Sequence, residues 1–89
     1  MENSDLYKQF LFSSEAVKLL PTKPCDDILL DLYSLYKQST IGDCNTSQPG
    51  GLFNMKEKAK WNSWNKIKGT NRETAMKMYI DIVTNLMNS

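Results

Sequence analysis

Apolar residues recur at helical spacing along nearly the whole chain, and no stretch alternates with the period of two that a half-buried strand requires. Over 4–20, Leu6, Phe10, Ser13, Val17 and Leu20 fall on one face, a stripe interrupted by a single small polar residue. Pro21-Thr22-Lys23-Pro24 stops that helix, because proline lacks a donor and crowds the preceding turn. Asp26 and Asp27 then suit the positive end of a new helix, which runs to about Thr40 and carries Ile28, Leu29, Leu32, Leu35 and Tyr36. Gly42 opens a polar connection over 43–51, too rich in helix breakers to continue the helix. A third, shorter helix is predicted from roughly Lys56 to Ile67, with Gly69 as its stop. Thr70-Asn71-Arg72-Glu73 reads as a capping box. The fourth helix then sets Ala75, Tyr79, Ile82 and Leu86 on one stripe, with Met76, Ile80, Val83 and Met87 beside it. So wide an apolar face has to pack against more than one neighbour. The expectation is a small all-α, four-helix bundle without internal repeats.

At 89 residues the chain fits one domain, 1–89, near the lower limit for a self-sufficient core. Its 40% hydrophobic and 24% charged residues describe an ordinary folded protein rather than a disordered tail. No apolar stretch reaches the length of a membrane span, and Met1-Glu2-Asn3-Ser4-Asp5 is acidic, the opposite of a signal peptide. The expected location is cytoplasmic. There Cys25 and Cys44 are read as reduced thiols and the sequon Asn45-Thr46-Ser47 as silent.

The net charge of +1 hides an asymmetry: 1–54 sum to −3, 55–72 to +5 and 73–89 to −1. A short basic segment of this kind favours an anionic partner. The chain as a whole is not strongly basic and holds no groove-reading motif, so nucleic acid is not expected.

Several chemistries are absent. With no histidine, Ser-His-Asp and Cys-His catalysis and histidine-containing zinc sites are excluded, and two cysteines cannot complete a four-thiolate site. In the stretch from Asp43, Gln48 stands where an EF-hand needs its turn glycine and Asn54 where it needs its bidentate glutamate. Pro49-Gly50-Gly51 lacks the lysine of a phosphate-binding loop. No enzyme, metal or cofactor is expected.

The candidate chemistry is instead one of binding. Tyr33, Tyr36 and Lys37 stand at i, i+3 and i+4, so two phenols and an ammonium share a helix face suited to a phosphorylated, ring-bearing ligand. Lys56 and Lys60 share a side of the third helix and Tyr79 lies on the fourth. On residue types alone the competing reading stays open: tyrosines at this spacing are commonly half-buried core, and lysines solvated surface. Trp61 and Trp64 are assigned to packing, with Trp61 bordering the groove.

In order and spacing the chain resembles the acyl-CoA-binding protein family across nearly its whole length. The segments that carry the likeness are Glu15-Ala16-Val17-Lys18, Thr22-Lys23-Pro24, Leu32-Tyr33-Ser34-Leu35-Tyr36-Lys37-Gln38-Ser39-Thr40, Gly42-Asp43, Asn45-Thr46 and Pro49-Gly50. Lys58-Ala59-Lys60-Trp61-Asn62-Ser63-Trp64, Lys68-Gly69, Ala75-Met76-Lys77 and Tyr79-Ile80 complete it.

The resemblance implies an up-down-down-up bundle whose groove takes medium- and long-chain fatty acyl-CoA esters, gripping the 3′-phosphate and adenine and laying the tail in an apolar channel. Carried over by motif position, Tyr33, Tyr36 and Lys37 are headgroup residues, Lys60 a second phosphate-binding cation and Tyr79 an adenine-end contact, with Lys18 and Lys56 peripheral. It further implies a monomeric intracellular carrier and pool former in transient contact with acyl-CoA-using enzymes or membranes. Three departures stand out. The run Gly50-Gly51-Leu52-Phe53-Asn54-Met55 is one residue longer than usual, Leu35 replaces a common histidine, and Ser13 and Ser14 replace small alanines at the nucleotide edge. The competing class is a helical protein-interaction module whose apolar groove receives an amphipathic helix.

Overall fold

The computed structural model describes residues 2–51 and 54–88, the side chains of 2–4 excepted. Helix α1 (Glu2–Ala16) passes into a 3-10 turn (Val17–Leu19) and is followed by α2 (Asp26–Thr40), α3 (Met55–Lys66) and α4 (Arg72–Met87). Among the described residues there is no strand. The first helix ends sooner than its periodicity predicts. Pro21 bars the residue before it from helical geometry, so Leu20 is extended (ψ 137°) and the last turn tightens, its amide donating to the Val17 carbonyl.

Contacts between named residues fix the helix directions. Asp5 and Leu6 lie beside Lys77 and Ile80, whereas Phe12 and Ala16 lie beside Met87, so α1 and α4 run parallel. Gln38, near the end of α2, donates to Thr70 just ahead of α4, so these two run antiparallel. Lys60 stands over Tyr33 and Lys37 over Trp64, so α2 and α3 run parallel. The bundle is therefore up-down-down-up. Parallel neighbours need a connection that returns the length of a helix, which is why the long loop sits between α2 and α3.

The wide face of α4 packs on both α1 and α2, while α3 packs on α2. The core gathers Phe10, Leu32, Leu35, Ala75, Tyr79 and Val83. Phe10 meets Tyr79 edge-on with ring centroids 5.1 Å apart and lies 5.4 Å from Tyr36, so α1, α2 and α4 share one aromatic cluster.

A polar clasp closes the end where α2, α3 and α4 meet. Gln38 is buried, and its Nε2 donates to Asp43 Oδ1 at 2.8 Å and to the Thr70 carbonyl at 2.6 Å. The same Asp43 oxygen accepts from the Gly69 amide at 2.8 Å, Trp64 Nε1 donates to the Gly42 carbonyl, and Arg72 donates to the Ile41 carbonyl. Gly42 adopts φ +104° in ending α2, a conformation that side chains rarely tolerate. Trp61, half-buried, donates its indole N–H to the Thr46 carbonyl and so holds the long loop against α3 rather than bordering the groove.

The capping box expected at Thr70 is corrected by the structure. Asn71 is the N-cap and accepts from the Thr74 amide at 2.7 Å, so Glu73 falls one position short of a reciprocal bond. Thr70 is instead occupied through its carbonyl in the clasp. The extra residue expected in the 50–55 run involves Leu52 and Phe53, which lie outside the described residues.

Candidate functional site

A groove of about 560 Å³ runs between the end of α1, the linker at 22–24 and one face of α2, within the size range typical of small-molecule sites. Its two ends differ in chemistry. Val17, Leu20, Pro24 and Leu29 line one end, toward the start of α2; Tyr33, Tyr36 and Tyr79 line the other, with Leu32 between. Helical periodicity produces this division, because Leu29, Leu32, Tyr33 and Tyr36 project from one side of α2 over two turns.

The phenol end is ordered by packing. Tyr79 is 4% exposed and held by Phe10, whereas Tyr36, 41% exposed, presents much of its ring to solvent. Burial pushes the Tyr79 phenol above its ordinary value, and the nearby Tyr36 phenol adds to the shift. Its hydroxyl therefore stays protonated and available as a donor.

Beside that end stands a cationic pair. Lys37 Nζ lies 5.9 Å from the centroid of the Tyr33 ring and 5.4 Å from that of Trp64, and Lys60 Nζ lies 5.4 Å from the Tyr33 ring. Tyr33 thus joins the groove to two ammonium groups on different helices. Lys60 has a competing partner, Glu57 Oε2 at 3.5 Å. At the other wall Lys18 pairs with Glu15 at 3.2 Å, and both are exposed groove-lining residues.

The residues singled out from sequence divide accordingly. Lys18, Tyr33, Tyr36 and Tyr79 line the groove, and Lys37 and Lys60 flank it through Tyr33. Lys56 is not brought to the groove; it is exposed one turn before Lys60. Ser14 lines the groove with its hydroxyl donated back to the Leu11 carbonyl, but Ser13 is buried on the opposite side, against α4. Sequence reasoning missed Thr22, Lys23 and Pro24 as one wall, having read them as a helix stop. The second proline, which keeps the linker extended, was the available sign. Among the described residues no group of three or more acids and cysteines is placed to hold a metal ion. Cys25 is exposed and Cys44 buried, each unpaired. No described helix is long and apolar enough to cross a membrane.

Comparison with known proteins converges on one family. The sequence model of the family described as Acyl CoA binding protein matches residues 7–83. Acyl-CoA-binding protein 2 of Saccharomyces pastorianus is 51% identical over 74 residues, covering 83% of this chain and 84% of the relative. An acyl-CoA-binding protein of Gossypium hirsutum is 48% identical over 81 residues, covering 91% of this chain and 90% of the relative. The crystal structure of Oryza sativa Acyl-CoA-Binding Protein 2 superposes with a TM-score of 0.86 at 38% identity, covering 93% of this chain and 91% of that one.

Proposed function

The chain belongs to the acyl-CoA-binding protein family, and from that premise we propose that residues 1–89 form one acyl-CoA-binding domain serving as an intracellular, cytoplasmic carrier of medium- and long-chain esters. Binding acyl-CoA is the property for which its relatives are named. The carrying observation is the position of Tyr33, which lines an apolar groove on one side and meets two ammonium groups on the other.

An acyl-CoA is a polyanionic nucleotide joined to a tail that water disfavours, so a carrier has to neutralise phosphate and cover methylenes together. Burying about ten CH₂ groups contributes on the order of 8 kcal/mol before the costs of association. Lys37 and Lys60 supply charge-assisted hydrogen bonds to the phosphates, and the 3′-phosphate goes to Lys37. Tyr36 offers its exposed ring to the adenine, and Tyr79 donates its hydroxyl at the same end. The tail runs toward Val17, Leu20 and Leu29. Lys18 and Lys56 act at the periphery, Lys56 by adding field rather than contact. The groove lies open along its length, so cargo leaves without unfolding, and no bond is broken. A monomer in transient contact with acyl-CoA-using enzymes fits this arrangement.

Titration with acyl-CoAs of graded length tests the reading. Affinity should rise with each added methylene by up to about 0.8 kcal/mol until the groove is filled, then level off. Affinity independent of tail length, or no binding at all, would overturn it. The reading as a helix-binding module has no comparable support, since each relative compared is named for a thioester ligand.

A further inference from the structure

Past Leu20, at the apolar end of the groove, a second hollow of about 320 Å³ opens between the last turns of α1 and the end of α4. Phe12, Leu19, Pro21 and Met87 bound it, together with the buried Ala16. Glu15 and Leu20 line both this cleft and the groove, so the two hollows meet along one rim. The local backbone makes that junction. Pro21 keeps Leu20 extended, α1 ends early, and the chain tightens into the turn Val17–Leu19. Val17 then lines the groove while Leu19 lines the cleft. Phe12 is 70% exposed, Leu19 83% and Met87 53%, so the cleft presents apolar side chains that the core leaves uncovered.

We propose that this cleft is a second tail site, which takes the terminal methylenes of very-long-chain acyl-CoA esters once the groove is filled. The inference rests on the acyl-CoA reading and extends it to the upper end of the chain-length range. Three observations favour an alkyl chain as the occupant. The first is continuity: a tail held by its nucleotide at the phenol end and running toward Leu20 leaves the groove over the residue that also lines the cleft. The second is chemistry. Glu15 is the one charged residue among those lining the cleft, and its side chain is 74% exposed and engaged by Lys18 at 3.2 Å. A passing tail therefore meets aliphatic surface, and an alkyl chain has no polar group left in need of a partner. The third is capacity: the cleft adds a little more than half the volume of the groove. The levelling of affinity expected of the groove is then a pause, after which affinity climbs again as the tail end crosses Leu20 and covers Phe12, Leu19 and Met87.

The test is competition binding of palmitoyl-, stearoyl-, arachidoyl-, behenoyl- and lignoceroyl-CoA to the full chain, below the concentrations at which they form micelles. A fully buried methylene is worth about fourfold in affinity and one covered on a single side about twofold, so binding should tighten about tenfold from arachidoyl- to lignoceroyl-CoA. In the double variant F12Q/L19Q that gain should shrink to less than about twofold, because the tail end finds amides in place of apolar side chains. Both side chains are exposed and neither lines the groove, so the variant should keep its helical circular dichroism and its affinity for palmitoyl-CoA. A second readout is backbone amide NMR: lignoceroyl-CoA should shift Leu19 and Met87, whereas palmitoyl-CoA should leave them in place. Normal palmitoyl-CoA affinity with no gain beyond arachidoyl-CoA overturns the tail site alone, and failure to bind palmitoyl-CoA overturns the carrier reading with it. An equal gain in F12Q/L19Q and the unaltered chain also overturns the proposal. So does light scattering that shows a dimer abolished by F12Q/L19Q, which assigns the cleft to a second copy of this chain.

Discussion

Replacing Lys37 by alanine probes the cationic pair where it should matter most. Its ammonium contacts no carboxylate in a described ion pair, unlike Lys60, and it stands within 5.9 Å of the ring that borders the groove. Loss of charge-assisted hydrogen bonds to one phosphate costs about 1.5–3 kcal/mol, a rise in Kd of about 10- to 150-fold. The free protein loses its ammonium above Trp64 and Tyr33, at about 0.5–1 kcal/mol for such contacts. In a domain of this size that lowers Tm by about 4–8 °C per kcal/mol, so the variant stays folded at 25 °C. Calorimetric titration of both proteins with palmitoyl-CoA and its 3′-dephospho analogue completes a double cycle. Removing the 3′-phosphate should weaken binding to the unaltered protein sharply and to Lys37→Ala by less than about threefold, the residual expected of uncoupled groups. If Lys37→Ala retains the full 3′-phosphate penalty, the ammonium serves another part of the ligand and the assignment is wrong.

Three further outcomes follow from the geometry. Glu57 competes for Lys60 at 3.5 Å and repels an incoming polyanion, so Glu57→Gln should tighten palmitoyl-CoA binding about two- to fivefold at low salt, less at high salt. Asn71→Ala should cost about 0.5–2 kcal/mol in denaturant unfolding, whereas Thr70→Ala should cost clearly less, because Thr70 enters the clasp through its backbone. The Gly69 amide and then Gln38 hold the Asp43 carboxyl below its ordinary value of 3.8. Its contribution to stability is therefore complete above that value and fades as pH falls below it, and Asp43→Asn should flatten that part of an acid-unfolding profile.

Much of the fold was legible because helix periodicity and breakers are local. The sequence reading bounds α2 at Thr40, as observed, and its apolar residues Leu32 and Leu35 are buried. The Tyr33, Tyr36 and Lys37 face was legible for the same reason. What periodicity cannot carry is where the chain goes between helices. Thr22 and Lys23 look like a linker until the linker is seen lying along α2 as a groove wall. Gln38 looks like a solvated residue near a helix end, and is buried because the loop at 42–43 and the start of α4 close over it. Ser13 and Ser14 show the angular limit of the method: consecutive residues sit about 100° apart on a helix, enough to send one into the groove and the other against α4. Glu57 enters the sum of +5 over 55–72 as a single charge, and the structure shows which lysine it pairs with, Lys60.

The most direct measurement is a backbone amide NMR titration of the full chain with palmitoyl-CoA. One saturable set of shifts at equimolar ligand should cover 14–24, 29–37, the α3 turn around Lys60 and Tyr79, with 3′-dephospho ligand losing the changes around Lys37. Shifts centred on the exposed Phe12 and Met87, or scattered over α3 without the groove, would contradict a single site that grips nucleotide and tail together.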